Sequence, residues 1–134
     1  MSEQIVRVRD VMSQEYDLID GMATVSDAIT RMKELNARCL IVKKRHDDDE
    51  YGLLLLSDIA RKVLAPNRAP ERVNVYEVMA KPVMFVDPDM NIRYCARLLD
   101  NFNMTRVPVV DSSGAVVGVV SFTDLVLRGL CRNL

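Results

Sequence analysis

The chain contains itself twice. The short acidic-apolar signature Asp10-Val11-Met12 returns as Glu77-Val78-Met79, 67 residues later in a chain of 134. The register persists. Val25, Ala28, Ile29, Met32 and Leu35 fall on one face of an amphipathic helix, and the positions 67 further on are Ile92, Cys95, Ala96, Leu99 and Phe102, all apolar. Thr24 precedes the first stripe with Asp27 three residues on, the capping-box spacing, and its counterpart Asn91 is also a good N-cap. Asn36 and Asn103 follow the two stripes, and asparagine tolerates the left-handed backbone at a helix end.

Each stripe leads into a short apolar run, Cys39 to Val42 and Val107 to Val110. A polar turn follows, then a second run, Gly52 to Leu56 and Ala115 to Val120, a pattern that predicts a hairpin. The second turn is one residue shorter, so the offset drops to 66 and Ser57-Asp58-Ile59 aligns with Thr123-Asp124-Leu125, each opening a final helix. Each copy therefore reads strand, helix, strand, strand, helix, with a short helical turn in front. A unit of about 60 residues buries too little surface to be secure alone. The expectation is an α/β (α+β) fold of two such repeats, residues 8–64 and 74–130, packed face to face with pseudo-twofold symmetry. Residues 65–73, with two prolines and no apolar period, form the linker.

Composition narrows the function. The 18 basic and 19 acidic residues nearly balance, which argues against a nucleic-acid coat, and 5% aromatics with no Trp leaves no stacking platform. No apolar run approaches the roughly 20 residues a membrane helix needs. The charged opening lacks a signal core, and Cys39, Cys95 and Cys131 form no close pair, so the expected location is cytoplasmic with reduced thiols. His46 to Glu50 lacks calcium-loop spacing and reads as a solvated turn; no metal site is expected. No Ser-His-Asp or Cys-His set can be assembled around the single His46, and no Walker-type loop is present, so no enzyme is expected.

Taken together, the paired Asp-Val-Met and Glu-Val-Met openings, the helix, the strand Arg106-Val107-Pro108-Val109-Val110-Asp111 and the segment Gly118-Val119-Val120-Ser121-Phe122-Thr123-Asp124 resemble a tandem pair of CBS domains, the family named after cystathionine beta-synthase. The resemblance covers about Val8 to Gly129. It implies a regulatory module that binds an adenosine nucleotide (AMP, ADP or ATP) between its repeats and pairs into a homodimer. It implies no catalytic cofactor. The output would be a shift of domain or dimer geometry, read by an effector protein that the sequence does not identify.

The residues allow that chemistry. A helix start offers amide donors to an anion, and the hydroxyls of Ser121 and Thr123 can donate to phosphate. An ionised carboxylate only accepts, so Asp124 suits the two hydroxyls of a ribose. The bland alternative has Thr123 as N-cap and Asp124 complementing the helix dipole. The first copy keeps Ser57 and Asp58 but has Leu55 where Ser121 stands, and lacks counterparts of Arg106 and Pro108, so the Asp124 cleft ranks above the Asp58 cleft. A guanidinium grips phosphate with two parallel bonds, which makes Arg106 a candidate. By the resemblance, Arg106 and Thr105 approach the cleft headed by Asp58, and Arg38, the counterpart of Thr105, approaches that of Asp124. Residues 16–19 and 81–85 are candidates to line an adenine slot. The alternative function is a ligand-free interaction or dimerisation module, for which the drift of the first copy speaks.

Overall fold

The computed structural model describes residues 5–81 and 84–130. In chain order the elements are α1 (Val8–Val11), β1 (Leu18–Ile19), α2 (Val25–Leu35), β2 (Cys39–Val42), β3 (Gly52–Leu55) and α3 (Leu56–Ile59), which runs on as a π-helical turn, Ala60–Leu64. Two 3-10 turns, Pro70–Arg72 and Val75–Glu77, precede α4 (Ile92–Asn101), β4 (Arg106–Val110), β5 (Val116–Ser121) and α5 (Phe122–Asp124), which again continues as a π-helical turn, Leu125–Gly129. No described helix is long and apolar enough to cross a membrane.

Local chemistry sets the helix limits. The Thr24 hydroxyl accepts from the Asp27 amide at 3.1 Å while the Asp27 carboxylate accepts from the Thr24 amide at 3.4 Å, so α2 starts with a reciprocal box. Asn91 accepts from the Arg93 amide at 2.9 Å and starts α4. Asn36 and Asn103 adopt φ of 52° and 54° at the two exits. One position departs from the apolar stripe. The α4 helix ends at Asn101, so Phe102 falls beyond its last turn and is 62% exposed.

The chain divides into two compact units, and neither is a contiguous copy. One joins the described residues up to Gln14 to those from Met84 on; the other runs from Glu15 to Lys81. Each unit thus completes itself with the opening turn of the other copy. Ser13 exchanges two backbone hydrogen bonds with Val119 (2.8 and 2.9 Å), and Ala80 exchanges two with Leu53 (2.9 and 3.0 Å). These bonds occupy the outer edges of β5 and β3. Glycine permits the approach: a Cβ at Gly118 would stand 2.7 Å from the Met12 sulfur, and one at Gly52 2.7 Å from the Met79 sulfur. The final helices seal the exchange. Arg128 donates to the Met12 carbonyl at 3.1 Å, and Lys62 to the Val78 carbonyl at 3.2 Å.

The two sheets differ, and one residue explains it. In the Glu15–Lys81 unit, β1 runs parallel to β2, and β2 pairs antiparallel with β3. The Ile41 amide donates to Asp17 and the Lys43 amide to Ile19, which makes β1 a true strand. In the other unit the counterpart of Ile41 is Pro108, which has no amide proton. The ladder there cannot extend toward Met84, and β1's counterpart shrinks to a single bridge, Val86 to Val109, beside the antiparallel β4–β5 pair.

Each unit has its own apolar core. Val25, Ala28, Met32, Leu40, Val42 and Leu54 anchor one, with Val75 and Val78 from the borrowed turn. Val86, Cys95, Leu99, Val107, Val109 and Val120 anchor the other, with Val8 and Val11 of α1. Cys95 is fully buried, and desolvation pushes its thiol up to about 11. Because the thiolate is the nucleophile, iodoacetamide at pH 8 is expected to leave Cys95 unmodified in the folded protein and to label it in concentrated urea. Peptide mass spectrometry that finds Cys95 alkylated within minutes under native conditions contradicts this packing.

Candidate functional site

The two strand-to-helix junctions carry the residues singled out by the sequence, and they are built differently. In the unit closed by α5, Ser121 is the last residue of β5 and the N-cap of α5. Its hydroxyl accepts from the Asp124 amide at 3.2 Å and donates to Asp124 Oδ2 at 3.0 Å; the Ser121 amide donates to the same oxygen at 3.1 Å. The cap is therefore Ser121 and not Thr123, and Asp124 completes a reciprocal box. The spacing Ser-x-x-Asp was the signal for it. Ser121 is buried, whereas Thr123, two residues along, is exposed. Asp124 Oδ1 stands 4.0 Å from Arg128, and the Asp124 side chain keeps 19% of its surface.

Thr105 and Arg106 lie beside this junction through the hairpin register. Arg106 is the cross-strand partner of Ser121, and the Phe122 amide donates to the Thr105 carbonyl at 3.0 Å. Pro108 is buried two residues further along β4. Of the expected adenine segment 81–85, residues 82–83 lie outside the described residues; the chain from Met84 runs alongside β4, where the Val86 amide donates to the Pro108 carbonyl at 3.1 Å. The Met84 carbonyl lacks the ladder donor that the Asp17 carbonyl receives from Ile41.

At the other junction, Leu55 precedes α3 and no side chain caps the helix. Asp58 is nevertheless buried, 8% exposed, and it turns to Arg61, whose guanidinium donates at 2.9 Å from the solvent side. Burial of a carboxylate is tolerated because this pair supplies the missing partner. Arg61 was not singled out from the sequence, although an Asp three residues before an Arg on a helix is a legible pair. Ser57 is exposed. Arg38 enters here in the position that Thr105 takes in the other unit: its carbonyl accepts from the Leu56 amide at 3.2 Å, and its side chain is exposed. The backbone register thus brings Arg38 to the Asp58 junction and Arg106 to the Asp124 junction. Among the described residues no three His, Cys, Asp or Glu groups gather to hold a metal ion.

The CBS domain model matches this chain twice, over residues 8–65 and 75–129. The chain belongs to the CBS domain family. Its structure is similar to that of a hexameric CBS-CP12 protein from bloom-forming cyanobacteria, at 37% identity and a TM-score of 0.89, covering 93% of this chain and 72% of that one. It is similar to the cytosolic domain of the Mg2+ channel MgtE in complex with ATP, at 26% identity and a TM-score of 0.69, covering 87% of this chain and 46% of that one. It shares its fold with the CBS domain pair of protein MJ0100 in complex with 5'-methylthioadenosine and S-adenosylmethionine, at 24% identity and a TM-score of 0.82, covering 98% and 100%. The chain spans 56% of an uncharacterized relative from Methanopyrus kandleri, to which it is 25% identical over 111 residues.

Removing the Ser121 hydroxyl leaves the α5 start without its cap. Ser121→Ala is therefore expected to lower the unfolding free energy in urea by about 1 kcal/mol, while Ser57→Ala, at an exposed position without a capping role, stays within about 0.5 kcal/mol of wild type. Equal losses in the two variants would contradict the asymmetry of the junctions.

Proposed function

We propose that this CBS pair is a regulatory module that binds an adenosine nucleotide, with the Asp124 and Asp58 junctions as its ligand sites. The observation that carries the reading is the carboxylate held at the start of each final helix, at Asp124 by the Ser121 box and at Asp58 by Arg61. In both cases it sits just past a strand end, and at Asp124 the Ser121 amide also reaches it. Asp124 and Asp58 accept from the ribose hydroxyls. Phosphate oxygens take the exposed Thr123 and Ser57 hydroxyls and one of the guanidiniums of Arg106 and Arg38. Adenine docks along residues 84–86 or 16–19. In the first of these, Pro108 leaves the Met84 carbonyl as a ready acceptor for an exocyclic amine. That contrast supports ranking the Asp124 site first. The ATP and methylthioadenosine complexes of the similar structures are consistent with this ligand class.

The module acts as a binding protein without catalytic chemistry of its own. Ligand preference for one geometry over another shifts a pre-existing equilibrium, and a partner protein reads the shift. Self-association is part of the reading. Leu64 and Leu130, equivalent positions at the ends of the two final helices, are 75% and 65% exposed, and Leu127 shares the second surface at 64%.

Titration calorimetry with AMP, ADP and ATP tests the site. Asp124→Ala is expected to weaken the tightest of the three at least tenfold. Equal binding by wild type and variant sinks the assignment. The competing reading, an interaction module without a ligand, gains if none of the three raises the melting temperature, since a ligand confined to the native state must stabilise it.

A further inference from the structure

Lys43, Lys44, Arg45 and Lys81, together with Asp20 and Tyr76, line a cavity of about 580 Å3 that belongs wholly to the Glu15–Lys81 unit. It opens at the far end of the β2–β3 hairpin from Asp58. Val42 pairs with Gly52 at the cavity end, and Cys39 pairs with Leu55 at the Asp58 end. About 10 Å of strand separates the two.

The cavity wall carries four cations against one carboxylate. Lys43 and Arg45 are exposed; Lys43 feels the Asp17 carboxylate electrostatically, a carboxylate already bonded to Arg31. Lys44 lies 4.9 Å from the centroid of the Tyr51 ring, which orients it without neutralising it. Lys81 is held at 2.5 Å by Asp49, whose other oxygen accepts from the Arg45 amide at 2.7 Å. Asp49 thus curls the hairpin turn over the cavity and occupies one cation with an internal anion.

The repeat supplies its own control. The positions equivalent to Lys43, Lys44, Arg45 and Lys81 are Val110, Asp111, Ser112 and Gln14. None is cationic, and Asp111 there closes a tight turn by accepting from Ser113 and Ala115. The CBS fold therefore does not require the basic set. It is specific to one unit, and it surrounds a concavity with an aromatic face, Tyr76, and a thioether, Met79.

We propose that this cavity is a second anion site, separate from the Asp124 and Asp58 junctions, for a small phosphorylated molecule with a compact apolar body. The volume is that of a small-molecule pocket and not of a polymer track. Lys43, Arg45 and, once Asp49 is displaced, Lys81 take the phosphate. Tyr76 and Met79 take the body, and Asp20 accepts from a ligand hydroxyl. Displacement of Asp49 from Lys81 loosens the hairpin turn, so occupancy is coupled to the order of residues 45–51.

The test is an NMR titration of the full chain with phenyl phosphate and with inorganic phosphate at physiological ionic strength. Saturable shifts at the amides of Gly21, Lys43, Lys44 and Tyr76 are expected, with phenyl phosphate binding several-fold more tightly. Lys43→Ala/Arg45→Ala should weaken binding at least tenfold, Asp49→Asn should tighten it several-fold by releasing Lys81, and Asp124→Ala should leave it unchanged. Should the double variant fold poorly, the Asp49→Asn result decides alone. Shifts that never saturate, that gather at the Asp124 or Asp58 junctions, that ignore Asp49→Asn, or that do not distinguish the two phosphates would overturn the proposal.

Discussion

Both units close on the same interaction, a two-way backbone exchange between a hairpin edge and an opening turn taken from the other sequence copy. Ser13 bonds Val119 in one unit and Ala80 bonds Leu53 in the other. An open strand edge is a liability that proteins cover, and here the cover is borrowed. Much else follows from it. Gly118 and Gly52 must lack a side chain so that Met12 and Met79 can lie against the strands. Val8, Val11, Val75 and Val78 enter cores they would not reach in a contiguous copy. Arg128 and Lys62 find carbonyls of the borrowed turns as their acceptors.

On this shared frame the copies differ at most positions, and a few of those differences have a clear local consequence. Proline at 108 deletes one amide, and a parallel strand becomes a bridge. Leucine at 55 deletes one hydroxyl, and a capping box becomes an ion pair between Asp58 and Arg61. The carboxylate persists through both changes while its supporting partners are exchanged. Basic residues at 43–45 and 81 turn an end of the hairpin that is acidic or neutral in one unit into a cationic cavity in the other.

Much of the architecture is written in the sequence. Thr24 with Asp27, Asn91, and the asparagines at 36 and 103 mark their helices because capping is a local matter, decided within four residues. The hairpins follow from apolar runs around polar turns. The exchange of opening turns is not legible, because the apolar residues of a signature such as Asp-Val-Met state that they will be buried but not in which core. Phe102 misleads for a related reason: periodicity carries a stripe forward without saying where the helix stops. At the junctions, Ser121 and Asp124 could be recognised as a pair from their spacing, whereas the burial of Asp58 depends on the surrounding packing. The basic cavity escapes sequence reading because Lys81 lies 36 residues from Arg45 and meets it only through Asp49.

The exchange also separates position along the chain from membership in a unit. Loss of the residues before Glu15 would be an injury to the C-terminal repeat, removing Val8 and Val11 from its interior and uncovering the edge of β5. A cleavage between residues 65 and 73 would release two fragments, each lacking the segment that completes its own hairpin and carrying the one the other needs. Such fragments have reason to recombine in trans. The two repeats are thus obliged partners by covalent layout, and an insertion or duplication of a single contiguous copy would not transplant a working unit.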